Sequence, residues 1–208
     1  MSKELSLSMD PTPHAPAQVI ALLRGAGIVL AGSAFAAVCA HISIPLFFTP
    51  VPLTVQPFAV LLLGLLLTPQ MAATTFAVYL LEGAAGLPVF APTPALAGLA
   101  HLLGPTGGYL LAYPVVAALI SRMWRQTRRG FGGAILCAGA GELVILACGA
   151  IWLTVTMPHS ALTAATLALL PFLPGDALKI AAAAGLAAGW SRVRRQALEK
   201  TAITNPQR

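Results

Sequence analysis

Residues 173–190 read LPGDALKIAAAAGLAAGW and begin with a charge pair, Asp176 and Lys179, at the edge of an apolar run. From Asp176 to Trp190 there are 15 residues, which make about 22 Å of helix, whereas the hydrocarbon core of a membrane is about 30 Å thick. Such a helix begins several ångströms below the membrane surface. Non-helical backbone is tolerated at that depth only beside protein or a water-filled cavity. The stretch therefore predicts a short membrane helix that opens onto a cavity.

The whole chain has the composition of an integral membrane protein. It has 208 residues, of which 58% are hydrophobic and 9% charged, against about 25% charged in a soluble domain. Six apolar segments are separated by Pro, Gly and charge, and we predict an all-α fold with six transmembrane helices. The segments are 19–40, 55–67, 71–87, 107–120, 131–153 and 176–190, the last preceded by an apolar approach at 161–173. Residues 1–18 and 191–208 are then polar and basic cytoplasmic tails around a membrane domain at 19–190.

The basic residues predict the orientation. Arginines cluster between the fourth and fifth segments and again after the sixth, and the positive-inside rule places both clusters in the cytoplasm. Six spans put both termini on that side, and Lys179 is then the only basic residue within the membrane. Orientation alone explains this distribution, so it does not indicate nucleic-acid binding. We expect a multi-pass protein in the lipid bilayer of a bacterial cytoplasmic membrane.

The three short segments, the second, fourth and sixth, all run from outside to inside in this topology. Each follows a stretch rich in Pro and Gly. Interrupted hydrophobic segments of this kind are typical of substrate sites in transporters. We therefore predict outer Pro/Gly-rich loops that roof a substrate cavity.

Four charged residues lie within the apolar body: Glu82, Glu142, Asp176 and Lys179. A charge at bilayer depth costs at least about 2.5–3.5 kcal/mol, so each is a candidate site residue. Other roles stay open. Asp176, which follows Gly175, could cap the start of a helix. Lys179 could serve merely to neutralise the charge of Asp176. Glu82 could be solvated near the surface, and Glu142 could make an interhelical contact.

Gln56, Tyr109 and Tyr113 sit near the outer starts of segments two and four and could add polar contacts, although aromatic residues at that depth also anchor helices at the interface. Nothing in the sequence indicates catalysis: HExxH, GxSxG and P-loop motifs are absent. The cysteines and histidines do not have metal-ligand spacing. We predict a binding protein that is not an enzyme and has no cofactor or metal.

Small residues recur every four positions in two segments. Gly32, Ala36 and Ala40 do so in the first segment, and Gly185 and Gly189 in the sixth. This spacing lets two helices approach closely. It fits a partner subunit and internal packing equally well.

Four motifs in order carry a family resemblance. They are ISIPLFFTPVPLTVQPFAVLLLGLLL (42–67), YLLEGAAGLPVFA (79–91), LLGPTGGYLLAYP (102–114) and LPGDALK (173–179). Together they resemble the biotin-specific substrate-binding component, or S component, of energy-coupling factor (ECF) transporters, over residues 20 to 190. The resemblance implies a six-helix membrane protein that captures biotin with high affinity. It also implies assembly with a transmembrane coupling protein and two cytoplasmic ATPase subunits.

The resemblance further implies site residues. It places Gly175, Asp176 and Lys179 of the PGDxxK motif at the ligand, and small residues of the first helix, here Gly32, Ala36 and Ala40, at the coupling protein. Leu110 follows GGY, where some relatives carry a basic residue, so the partner of the biotin carboxylate is not implied.

Biotin offers two ureido N–H groups, a ureido carbonyl, an apolar bicycle and a carboxylate. An aspartate can accept from N–H, a lysine can donate to an oxygen, and Phe90 and Tyr109 can bury the rings. Gln56 and Glu82 complete the predicted substrate site. The alternatives are an S component for thiamine or riboflavin, a structural membrane subunit, or an intramembrane enzyme with Glu82 or Glu142 as its base.

Overall fold

The structure, a computed structural model, describes residues 15–93, 97–156, 166 and 169–204. Within these residues, seven helices and one antiparallel pair of two-residue strands are present. The helices are α1 (Ala15–His41), α2 (Gln56–Leu66), α3 (Pro69–Ala84), α4 (Leu99–Leu103), α5 (Gly107–Arg125), α6 (Phe131–Thr156) and α7 (Leu173–Thr204), and the strands are β1 (Ser43–Ile44) and β2 (Leu53–Thr54). The predicted helical architecture is confirmed, and the hairpin is an addition to it.

Helix α2 is the centre of the bundle. It packs against α1, α5 and α7 and also contacts α6. Ala59, Val60 and Leu61, which point to different sides of the helix, are all fully buried. A helix that is hydrophobic all round is stable only when other elements surround it, and α2, whose leucines at 61–66 are interrupted only by Gly64, has this character.

Hydrogen bonds fix the turn that joins the C-terminal end of α2 to α3 and α5. Thr68 caps α3, because its side chain accepts a hydrogen bond from the backbone N–H of Met71, and Pro69 follows at the first helical position. The Ser121 hydroxyl of α5 donates to the Leu67 carbonyl over 2.6 Å. These contacts satisfy backbone groups that the end of a helix leaves free.

The glycines of the GPTGGY motif allow a close approach of three helices. A methyl group at Gly107 would overlap the Leu102 carbonyl at the end of α4, and one at Gly108 would overlap Trp152 of α6. The Trp152 indole donates to the Gly104 carbonyl over 2.9 Å. The motif therefore fixes the start of α5 against α4 and α6.

Several boundaries differ from those predicted. Helix α7 starts at Leu173, not at Asp176, and continues past Trp190 to Thr204, since the residues after Trp190 include good helix formers such as Arg, Gln, Ala and Lys. The predicted outer loop before α5 contains the short helix α4. By length and composition, the described helices over Ala17–His41 and Phe131–Thr156 could each cross a membrane, and Gln56–Leu66 is apolar but shorter.

Candidate binding site

A cleft opens at one end of the bundle, where α2, α5 and α7 begin and β2 lies close by. About 510 Å³ of space in it is free of protein atoms, a volume that includes open solvent at its mouth. Its lining combines aromatic and aliphatic side chains with a few polar ones. The lining residues are Val51, Pro52, Thr54, Gln56, Pro57, Ala91, His101, Thr106, Tyr109, Leu110, Tyr113, Glu142, Ile145, Leu146, Phe172, Asp176 and Lys179.

The ion pair between Asp176 and Lys179 lies in this cleft. The Lys179 ammonium donates to Oδ1 of Asp176 over 2.8 Å, and the lysine side chain is only 11% exposed. Asp176 is the fourth residue of α7, so it is not the N-cap residue, and its position in the first turn favours a negative charge. Its second oxygen, Oδ2, is buried and has no hydrogen-bond partner among the described residues. The pair is therefore incomplete.

Glu142 lies beside this pair. It comes from the middle of α6, is 2% exposed, and lines the same cleft. Its charge interacts with those of Asp176 and Lys179. Both of its carboxyl oxygens are buried without a hydrogen-bond partner in the described part of the chain. A hydrogen bond from Glu142 to the Asp176 carboxyl of α7 would require a proton on one of the two groups, so the interhelical contact that the sequence left open for Glu142 forms only in that protonation state.

Glu142 and Asp176 also border a second opening. An apolar groove between α6 and α7 encloses about 980 Å³, counted with its open side, and both carboxyl residues lie on its border.

Aromatic side chains form one wall of the cleft. The rings of Tyr109 and Phe172 lie 6.4 Å apart, and a side chain at Gly149 of α6 would overlap the Tyr109 ring. Tyr109 is 8% exposed and Tyr113, one turn further along α5, is 2% exposed. An apolar, aromatic wall with a few polar groups beside it is typical of small-molecule binding sites.

A chain of hydrogen bonds fixes Gln56. Its amide nitrogen donates to the Tyr79 hydroxyl over 2.8 Å, and that hydroxyl donates to the Val89 carbonyl over 2.8 Å. Tyr79 does not line the cleft, so its part is to hold Gln56 in place. The amide then projects from the first residue of α2 with a fixed orientation.

Three residues that the sequence assigned to the ligand do not line the cleft. Glu82 of α3 accepts a hydrogen bond from the Ser33 hydroxyl of α1. The Phe90 ring packs on Gly83 and lies 5.4 Å from that of Tyr79. Gly175 directly precedes Asp176 but does not face the cleft. Their contact with a ligand stays a prediction.

Among the lining residues that the sequence does not predict are His101 and Phe172. His101 belongs to α4, is 3% exposed, and its ring lies 5.0 Å from that of Phe90. From the sequence this stretch is expected to be a loop, because five helical residues are too few to give a periodic pattern. Phe172 lies in the apolar approach to the sixth segment, where nothing in the pattern distinguishes it from its neighbours.

The small residues of α1 point into the chain. Gly32 is buried against Thr75 of α3, and Ala36 and Ala40 have no exposed surface. In this conformation a partner cannot reach them. Internal packing, the alternative that the spacing left open, therefore describes this stripe in the structure.

Comparisons with known proteins give consistent matches. A family model described as the BioY family matches residues 10–196. A probable biotin transporter BioY from Pyrococcus horikoshii is 40% identical over 134 residues, 64% of this chain and 76% of the relative. The biotin transporter BioY of Thermotoga maritima is 35% identical over 155 residues, 74% of this chain and 88% of the relative.

The fold also matches a solved structure. A crystal structure of the S-component for biotin from an ECF-type ABC transporter superposes with a TM-score of 0.73 and 27% sequence identity. The match covers 88% of this chain and 95% of the other. The family match includes every residue that lines the cleft.

Proposed function

Because the chain belongs to the BioY family, we propose that it binds biotin in the cleft at the starts of α2, α5 and α7 and serves in biotin uptake. The chain is a membrane protein of the transport class and not an enzyme. The incomplete Asp176–Lys179 pair is the observation that carries the binding site. A buried ion pair stabilises a fold only weakly, and in this one Asp176, which lines the cleft, retains an oxygen without a hydrogen-bond partner among the described residues.

The charges of the cleft suggest how biotin enters it. Lys179 is the only lysine or arginine among the lining residues, and two carboxyl groups lie beside it. This surrounding favours N–H donors and repels a carboxylate. The ureido ring of biotin is thus expected beside Asp176 and Lys179, with its valerate carboxylate pointing away from them. The Tyr109 and Phe172 wall covers the bicycle.

The proposal includes six membrane spans, namely all the described helices except α4. Helix α2 has 11 residues, about 16 Å, so it crosses only part of a core about 30 Å thick. The hairpin β1–β2 precedes it on the cleft side. Its two strands pair with each other, and the Val55 N–H donates to the Ile42 carbonyl over 3.0 Å, so this non-helical backbone satisfies part of its own hydrogen bonding, as membrane depth requires.

The orientation proposal has structural support. The Ser191 hydroxyl of α7 donates to the Arg129 carbonyl over 2.9 Å, and the Arg195 guanidinium approaches the Arg128 carbonyl at 3.4 Å. The two basic clusters therefore meet at one end of the bundle, opposite the cleft. By the positive-inside rule that end is cytoplasmic, and the cleft faces outward in a bacterial cytoplasmic membrane with both termini inside.

The partners of the proposed assembly are a transmembrane coupling protein and two cytoplasmic ATPase subunits. The support is the similarity to the S-component of an ECF-type transporter. Since Ala36 and Ala40 are buried between α1 and its neighbours, a coupling protein would reach them only if α1 moved away from α3. Otherwise its contact must use the exposed face of α1.

Binding is tested with the purified full chain and labelled biotin. We expect saturable binding that unlabelled biotin displaces and that an excess of thiamine or riboflavin does not. Absence of saturable binding, or displacement by either of the other vitamins, would contradict the proposal. Uptake is tested in cells that express this chain alone and in cells that also express the coupling protein and ATPases.

A further inference from the structure

We propose that Glu142 is a third ligand-binding residue of the cleft, which accepts one of the two ureido N–H groups of biotin while Asp176 accepts the other. The inference rests on the proposed function and assigns a role to the carboxyl group in the middle of α6.

The position of Glu142 is the first argument. Ala138, Gly141 and Ile145 lie on the same face of α6 as Glu142, and that face is buried throughout. A carboxyl group on such a face has left water, and burial of a polar group without a hydrogen bond is unfavourable. While both carboxyl groups are ionised, the described residues offer Glu142 no hydrogen bond, and only a proton shared with the Asp176 carboxyl would provide one. A ligand N–H donor would supply the hydrogen bond without that proton.

The arrangement of donors and acceptors is the second argument. Three buried carboxyl oxygens are unpartnered among the described residues, two on Glu142 and one on Asp176. The Lys179 ammonium, which has three N–H groups, uses one hydrogen bond on Asp176. The free groups therefore comprise acceptors on two residues and a cationic donor beside them. A cyclic urea presents the complementary set, with an N–H on each side of a carbonyl.

Charge is the third argument. Two carboxyl groups and one ammonium leave an excess of negative charge when all three are ionised, and Tyr113, the other titratable group that interacts with Glu142, adds no positive charge. Two N–H donors placed against the carboxyl groups would offset this excess without bringing in an anion. A ligand whose polar end was a carboxylate would increase it.

The experiment combines residue variants with ligand variants. The purified full chain and its Glu142→Ala and Glu142→Gln variants are tested with biotin and with two biotins that are N-methylated at one or the other ureido nitrogen. We expect Glu142→Ala to bind biotin about 10- to 100-fold more weakly. We expect a smaller loss with Glu142→Gln, which keeps an amide oxygen as acceptor.

The methylated ligands identify the contact. Both should bind the wild-type chain weakly, because each lacks one N–H. The Glu142→Ala variant should bind one of the two isomers as tightly as it binds biotin, because the N–H that this isomer lacks would have been the one that donates to Glu142. In Asp176→Ala, the other isomer should behave in this way. If Glu142→Ala lowers the affinity for biotin and for both isomers by one common factor, Glu142 does not contact the ureido group and the inference is wrong.

Stability separates binding from folding. Glu142→Leu should melt at the same or a higher temperature than the wild type without ligand, because it removes an unpartnered buried carboxyl group, yet bind biotin weakly. A lower melting temperature together with unchanged biotin affinity would assign Glu142 a purely structural role and overturn the inference. Saturable binding of biotin to the wild-type chain is measured first, so that failure of the proposed function is recognised separately.

Discussion

The α1–α3 interface and the α6–α7 interface both contain polar groups, but only the first one satisfies them. Between α1 and α3, the Ser33 hydroxyl donates to Glu82, while the Thr75 hydroxyl, which faces Gly32 of α1, donates within α3 to the Met71 carbonyl. Between α6 and α7, Glu142 and one oxygen of Asp176 have no partner in the described chain.

The polar groups of the first interface stabilise the fold, whereas those of the second are left for a ligand. Gly32 and Ala36 let α1 and α3 come together without a gap, so that interface is closed. The α6–α7 interface borders both the cleft and an apolar groove. A buried polar group is costly unless it is paired, and groups that the fold leaves unpaired beside a cavity are available to a ligand. Four substitutions test this comparison.

The largest effect is expected for Lys179→Ala. It leaves two carboxyl groups in the cleft without a cation, and we expect biotin affinity to fall about 100-fold, which corresponds to about 2.7 kcal/mol. Equilibrium binding of labelled biotin measures it. Lys200→Ala is the matched control, because Lys200 lies on the exposed part of the same helix. Equal losses in the two variants would show that net charge, and not the cleft, determines binding.

Gly32→Leu should disrupt the closed interface. A Cβ atom at Gly32 would already lie 2.7 Å from Cγ2 of Thr75, and overpacking of this kind costs about 1–3 kcal/mol of stability. Thermal unfolding in detergent should show a lower melting temperature, while the folded fraction binds biotin normally. Gly25→Leu should not lower stability, because a Cβ atom at Gly25, in the same helix, would meet no atom of the described chain within 4 Å and leucine favours a helix more than glycine does.

Gln56→Leu should have an intermediate effect on binding. The substitution removes the amide that Tyr79 orients toward the cleft, and we expect about a tenfold loss of biotin affinity, or about 1.4 kcal/mol. Gln70→Leu is the control, since Gln70 is exposed at the start of α3. Unchanged affinity in Gln56→Leu would restrict Gln56 to a structural role.

Ser33→Ala should have the smallest effect. It removes one hydrogen bond from the closed interface and should lower stability by about 1 kcal/mol, with biotin affinity unchanged. A double-mutant cycle with Glu82→Gln measures the coupling of the pair. A loss of affinity in either variant would instead support the sequence-based prediction that Glu82 belongs to the ligand site.

The sequence predicts the helices well where they are long and apolar, and poorly where structure depends on distant contacts. The leucine-rich sequence of α2 identifies a buried helix without further information. The β1–β2 hairpin and α4 are not predicted, because two-residue strands and a five-residue helix are stabilised by the elements around them. The end of α7 is not predicted because hydropathy reports membrane depth and not helix length.

The site is predicted only in part, because the sequence shows charged residues in apolar runs but not the contacts between distant elements. Asp176 and Lys179 stand out because both are charged within an apolar run, and their spacing places them on one helix face. Glu142 is visible as a charge, but its role depends on whether a neighbouring helix offers it a partner. His101 lies far from Asp176 in sequence, and only the packing of α4 brings it to the cleft.

The length of α7 has a mechanical consequence. Asp176 and Lys179 lie in its first two turns, and the same helix runs without interruption to Thr204, about 42 Å beyond Asp176. A rigid rod of that length acts as a lever. A tilt of about 5° at the cleft would move the far end by about 4 Å, close to the width of one side chain. A ligand that tilted α7 at the cleft would thus displace the arginine-rich end of this helix at the opposite end of the bundle.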